Sequence, residues 1–333
     1  MACYGWKGLN FAGKGNGILR DSIRNESDLK SVLEFLMIPR CDLLIFDLRK
    51  DEALQPSFFV CIDWYTQSIV LAIRGTMSAL DTLTDLACEY EEWHGGYVHS
   101  GMKKAADWFL KNVFPQILHF AAINNLENIM IVGHSLGAGT AAITTILFQE
   151  ELEKRNSSIK VHCHSFAPPP IVSLSIAKKF DHLIDSYVYG NDLVPRLSYG
   201  AFLDFKTMLV CAAENGDVSC FFKTPTGDSF TKIITALNHC REKIKSRSDQ
   251  LNPKLYLAGS IYHMYTLPIP QNPKHVVVER SNPLLFSELN VRPFMFIHHL
   301  PAKYEISLNR AFECLIVNKT QRSERQNVET HQQ

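Results

Sequence analysis

The chain has 333 residues, 46% hydrophobic and 20% charged, which is ordinary globular composition with material for a sizeable core. Thirty-four Lys and Arg balance thirty-four Asp and Glu, so there is no net field to draw in nucleic acid. Nine cysteines, an odd count without a CxxC pair, read as reduced thiols in a cytoplasmic setting; the opening "MACYGWKGLN" lacks the apolar core of a secretory signal, and no stretch approaches the ~18 apolar residues of a membrane-spanning helix.

In chain order, "SDLKSVLEFLMI" carries Leu29, Val32, Leu33, Leu36 and Met37 at helical spacing, with Ser27 or Asp28 placed to cap it. "SFFVCIDW" and "SIVLAIRG" are β-branched and aromatic runs separated by a polar turn, and read as a strand pair. "GMKKAADWFLKNVFPQILHFAA" is an amphipathic helix bent or broken at Pro115. Then come a buried strand "NIMIVG", a helix "LGAGTAAITTILFQEELEK", a strand "IKVHCHSF" stopped by three prolines, and a strand "HLIDSYVYG" entering a loop. This alternation predicts an α/β fold with a mostly parallel central sheet and flanking helices. Residues from about 215 to 260 are more polar and show no strong strand, so they read as an insertion before the last elements. The whole is read as one domain over 1–314, with 315–333 a disordered polar tail.

The sharpest local signal is Gly133-His134-Ser135-Leu136-Gly137, set between a strand and a helix. G-x-S-x-G in that setting is the nucleophile elbow of α/β hydrolases, where a strained turn lifts the serine oxygen above the sheet. Side chains at the glycine positions would strike neighbouring backbone, and the following helix aims its N-terminus at the site, where developing negative charge is favoured. A serine needs a base and a group to orient that base, and in this fold the chain order is Ser, acid, His. Asp192, just past an apolar strand in a loop closed by Pro195, stands where the acid belongs, although a lone Asp there also suits an Asx-turn. Asp181 and Asp185 lie too early, before the strand or at its start. Candidates for the base are His239, His263, His275, His298 and His299; the last two end an apolar run before a helix, and spacing does not choose between them. Oxyanion donors are expected from the Leu136 amide and from Thr76, after the strand that ends in Arg74-Gly75.

"LAIRGTMSALDTLTDL", "VHSGM", "IVGHSLGAGTAA", "SFAPPP", "GNDLVPRLS" and "HHLP" occur in the order found in class 3 lipases, and together they resemble most the catalytic domain of sn-1-specific diacylglycerol lipases, over residues 55 to 312. The resemblance implies an α/β-hydrolase fold and a serine lipase. Such an enzyme cleaves the sn-1 acyl ester of diacylglycerol through an acyl-enzyme, giving a monoacylglycerol and a fatty acid. The alternative within the fold is another carboxylester, triacylglycerol or phospholipid acylhydrolase. The resemblance also implies Ser135 as nucleophile, Asp192 as acid, His299 as base (the histidine directly before Leu-Pro) and Thr76 with Leu136 as oxyanion donors. His134 is implied to be structural, and residues 77 to 86 match the lid region. No metal and no cofactor is expected. The implied partner is a glycerolipid at a membrane or lipid-droplet surface, met by peripheral contact. Animal members carry four membrane helices ahead of the catalytic domain; their absence from this sequence leaves a soluble branch or a truncated form as the two readings. His162-Cys163-His164 suggests a metal at first sight, but in a strand the two histidines share one face and the cysteine takes the other, so the three do not make one site.

Overall fold

A computed structural model describes residues 28–47, 55–75, 90–215, 228–251, 253–267 and 275–330. Strands β1 (Leu43–Asp47), β2 (Phe58–Asp63), β3 (Ser68–Ile73), β6 (Asn128–His134), β7 (Lys160–Phe166), β8 (Ile184–Tyr189), β9 (Ser260–Thr266) and β10 (Val276–Ser281) form one sheet in the order β1-β2-β3-β6-β7-β8-β9-β10. The pairings from β3 through β6, β7 and β8 to β9 are parallel; β1-β2-β3 and β9-β10 are antiparallel flanks. This is the mostly parallel α/β sheet that the alternation of strand and helix predicts. Strands β4 (Tyr90–Trp93) and β5 (Gly96–His99) make a separate hairpin.

Central parallel strands are buried on both faces, and their residues divide between two cores by the period-2 alternation. Ile69, Leu71, Ile73, Ile129, Ile131 and Cys163 face helices α2 (Ser100–Asn112), α3 (Phe114–Asn124) and α4 (Leu136–Lys154), with Phe109, Phe114, Ile143 and Phe148 between the layers. Val70, Ala72 and Val132 point the other way, toward helix α1 over residues 28–36, whose Leu29, Val32, Leu33 and Leu36 cover them. The break expected at Pro115 is present: α2 ends at Asn112 and α3 begins at Phe114, with the proline in the first turn of the new helix, where its missing N–H costs nothing.

After β8 come the short turn Val194–Arg196 and helix α6 (Tyr199–Asn215), which packs beside α7 (Asp228–Leu251); α5 (Leu174–Lys179) lies earlier, between β7 and β8. The polar stretch that reads as an insertion is thus largely one helix. Its half-buried Ala236, Leu237, Cys240 and Ile244 recur at helical spacing, and Cys211 Sγ of α6 lies 3.8 Å from the Ala236 carbonyl. The chain then passes through β9 and β10 to the short helix α8 (Met295–His298) and to α9 (Pro301–Thr330). Where the sequence predicts an unstructured tail from residue 315, α9 continues to Thr330. Among the described residues no helix is long and apolar enough to cross a membrane.

Backbone packs tightly where the end of β3 meets the elbow. A Cβ on Gly137 would stand 2.4 Å from the Ile73 carbonyl oxygen, and one on Gly133 would stand 2.3 Å from the Gly137 carbonyl oxygen. Backbone cannot yield as a side-chain end can. Gly137→Ala therefore tests the packing against helix propensity, which alone would favour Ala by about 1 kcal/mol. We expect the clash to win, with a net destabilisation of about 1–3 kcal/mol in a denaturant titration.

Candidate active site

Ser135 caps the start of α4 with φ 59° and ψ −130°, a left-handed backbone that a non-glycine residue adopts only under constraint. The constraint comes from both sides. The Ser135 N–H donates to the Phe166 carbonyl at the end of β7 (3.0 Å), and its own carbonyl accepts from the Ala138 and Gly139 amides. Leu136 opens α4, so its N–H has no carbonyl one turn back within the helix. Thr76, the other expected oxyanion donor, and residues 77–86 of the expected lid lie outside the described residues. Gly75 is described, and a Cβ there would meet the His134 carbonyl oxygen at 2.3 Å. The glycine therefore lets the end of β3 close on the elbow.

Three of the sequence-predicted residues come together across more than 160 positions of chain. His299 Nε2 lies 3.0 Å from Ser135 Oγ, and its Nδ1 lies 3.0 Å from each carboxylate oxygen of Asp192. One imidazole thus faces a hydroxyl with one nitrogen and a carboxylate with the other. The Nδ1–H donates to Asp192, which leaves Nε2 as the acceptor for the serine proton.

Asp192 has no exposed surface. The Val194 amide donates to its Oδ1 (3.0 Å), so the Asx-turn is also present: the same carboxylate shapes its loop and orients the histidine. Tyr304, fully buried on α9, donates its hydroxyl hydrogen to Asp192 Oδ2 at 2.6 Å and accepts from the Tyr189 amide at 3.0 Å. The sequence reading missed Tyr304. Its signal is position: it falls five residues after His299, at the start of the helix whose inner face packs on β8.

The two adjacent histidines have different work. His298 Nδ1 accepts from the Asn191 amide at 2.9 Å, and its ring sits edge-on to Tyr189. Gly190, at φ +52°, has His298 Nδ1 only 2.7 Å from where a Cβ would be. His298 thus holds the loop that carries Asp192, and burial lowers its pKa. His263 also serves this loop, with its Nε2 2.9 Å from the Gly190 carbonyl. His275 lies against Cys314, and Asp185 pairs with His162. Of the candidates weighed in the sequence, His299 and Asp192 stand with Ser135.

His134, the variable residue of the elbow, has a definite job. Its Nε2 lies 2.9 Å from the His299 carbonyl oxygen, and the two ring centroids are 4.8 Å apart. A carbonyl only accepts, so the imidazole donates. Burial, with the neighbouring His299 opposing a second positive charge, pushes its pKa down to about 3. It is neutral near pH 7, and it anchors the backbone of His299.

The class 3 lipase family model matches residues 70–202, which contain Ser135, Asp192, Thr76 and Leu136. Human diacylglycerol lipase-alpha is 24% identical over 311 residues, covering 83% of this chain and 29% of that protein. Mouse diacylglycerol lipase-beta is 30% identical over 174 residues, covering 50% of this chain and 25% of that protein. The chain thus spans less than a third of the length of these relatives. Among solved structures, a Rhizomucor miehei lipase propeptide complex in a deletion-mutant form superposes with a TM-score of 0.50 at 15% identity, covering 77% of this chain and 66% of that one. That likeness is one of fold.

The depressed pKa of His134 makes stability depend on pH. The unfolded chain protonates this histidine below its ordinary value near 6.5, while the folded chain resists until about 3. Stability is therefore complete above pH 6.5 and falls as the pH drops toward 3, by at most about 1.4 kcal/mol per pH unit from this group. His134→Asn cannot titrate. Denaturant midpoints measured from pH 7 to 4 should fall less steeply in the variant than in the wild type.

Proposed function

The chain belongs to the class 3 lipase family, and from that premise we propose that it is a serine carboxylester hydrolase that cleaves the sn-1 acyl ester of diacylglycerol. The observation that carries the reading is the unbroken line from Asp192 through His299 to Ser135 Oγ, with 3.0 Å at each junction. Ser135 Oγ attacks the ester carbonyl carbon while His299 Nε2 takes its proton. The imidazolium that forms is stabilised by Asp192, which keeps its charge. The carbonyl oxygen becomes an oxyanion that the Leu136 amide can stabilise, with Thr76 assigned as second donor from the family resemblance; such donors are typically worth about 3 kcal/mol each. Collapse breaks the bond to the glycerol oxygen, which takes the proton back from His299 and leaves as monoacylglycerol. Water, deprotonated by the same imidazole, then attacks the acyl-enzyme and releases the fatty acid. Every step is proton transfer and acyl transfer by side chains present, so no cofactor enters the scheme.

Two features support an acyl lipid as substrate. Human diacylglycerol lipase-alpha aligns over 83% of the chain and mouse diacylglycerol lipase-beta over 50% of it. The segment just before His299 also presents Phe294, Phe296 and Ile297 to solvent at 67%, 53% and 44% exposure, while Met295 between them packs on the core. Apolar side chains exposed beside the nucleophile's base suit peripheral contact with a membrane or lipid-droplet surface, where the diacylglycerol would be met.

Hydrolysis of diacylglycerol labelled separately at sn-1 and sn-2, offered in liposomes, tests the reading. We expect label release from sn-1, and a loss of at least about 10³-fold in Ser135→Ala with the fold intact. Faster hydrolysis of triacylglycerol or phospholipid would move the assignment to another acylhydrolase of this fold. Activity retained in Ser135→Ala would overturn the mechanism.

A further inference from the structure

We propose that His162, His164 and Asp185 form a binding site for one divalent transition ion of the zinc type, on the sheet face that α4 does not cover and apart from the Ser135 site. The sequence reading set a metal aside here because Cys163 faces away from its neighbours. It does: Cys163 is fully buried under α4, and burial pushes its thiol up to about 12. What the sequence does not display is strand register. The parallel pairing of β7 with β8 sets His164 directly opposite Asp185, and the third ligand comes from the next strand.

The geometry is that of a ligand set. His162 Nε2 lies 2.9 Å from Asp185 Oδ2, and His164 Nδ1 lies 3.7 Å from the same oxygen. One ligand atom from each residue falls within 4.8 Å of the other two. A tetrahedral zinc with bonds of about 2.0–2.1 Å holds its ligands about 3.3 Å apart, and the two shorter separations bracket that value. No other such group of three occurs among the described residues. Two imidazoles and one carboxylate suit a borderline ion and are a poor match for magnesium or calcium, which take oxygen ligands.

The surroundings agree. A central parallel strand is normally apolar on both faces. On this face, the apolar cluster under α1 covers β1, β2, β3 and β6, and the cluster of Met264, Val276 and Tyr304 lies under α9. Between them the sheet turns polar at His162, His164 and Asp185, each half-buried, so an ion could enter from solvent. Tyr187, whose hydroxyl is 3.3 Å from His164 Nδ1, would release that nitrogen to the ion. Three protein ligands leave the fourth position to water.

The site is remote from the ester. His162 precedes Phe166, whose carbonyl holds the Ser135 amide, by four strand residues, or about 13 Å along β7. The ion would instead clamp β7 to β8, the strands whose far ends hold the elbow and carry the Asp192 loop. The inference is independent of the function proposed above.

The test is equilibrium dialysis of the purified full chain against zinc alone, with thermal melts in parallel. Wild type should bind one zinc more tightly than His162→Gln, His164→Gln or Asp185→Asn does, by about tenfold or more. Its melting temperature should rise with zinc, and those of the variants should not. Basal ester hydrolysis without metal should be unchanged in all of them. Magnesium and calcium should give no rise in the wild type. Should all three variants bind zinc with the stoichiometry and affinity of wild type, the ion sits elsewhere and the proposal is overturned; absence of zinc binding by the wild type overturns it too. Should a variant melt at a lower temperature without metal, the zinc-induced change relative to its own baseline remains the deciding quantity.

Discussion

A carboxylate with no exposed surface is the interaction on which the site depends. Moving an ionised Asp192 out of water costs several kcal/mol unless its oxygens are met by donors. Here they are met from three separate pieces of chain: the Val194 amide in its own loop, the His299 ring after β10, and the Tyr304 hydroxyl on α9. Satisfying that charge therefore fixes how the last helix and the histidine segment sit on the sheet. The converse also holds, since removing any one donor leaves part of a buried charge without a partner. Positioning of the base is thereby tied to packing of the whole C-terminal half.

A second set of contacts keeps that arrangement in register. His134 reaches from the elbow to the His299 carbonyl, while His298 and His263 hold Gly190 and Asn191 in the loop leading to Asp192. Three histidines outside the Ser-His-Asp line thus act as hydrogen-bonding struts. The backbone at Ser135 is held as firmly, because the glycines at 75, 133 and 137 let three stretches of main chain meet where no side chain fits.

Much of this was legible in the sequence, and for local reasons. Gly-His-Ser-Leu-Gly between an apolar run and a small-residue helix is a constraint carried by adjacent residues. Asp192 stood out because Pro195 and the preceding strand define its loop. What stayed hidden depends on contacts distant in sequence. His298 and His299 are neighbours on one turn that points them about 100° apart, and only packing tells which one meets Ser135. Tyr304 looks like an ordinary apolar-face residue until its hydroxyl is seen against Asp192. Asp185 looked like an early rival for the acid, and strand register gave it to His162 and His164 instead. The polar stretch read as an insertion hid helix α7, because its inward residues Ala236, Leu237, Cys240 and Ile244 are few among many charges.

The account stands on Ser135 being an activated nucleophile in the folded protein. A fluorophosphonate probe reports this directly, because it reacts with a serine only when a base and an oxyanion site act on it. Mass spectrometry of the labelled, digested protein should place the adduct on Ser135, and His299→Ala should remove the labelling while the melting transition persists. A folded wild-type chain that fails to react, or that carries the adduct on another residue, would contradict the account.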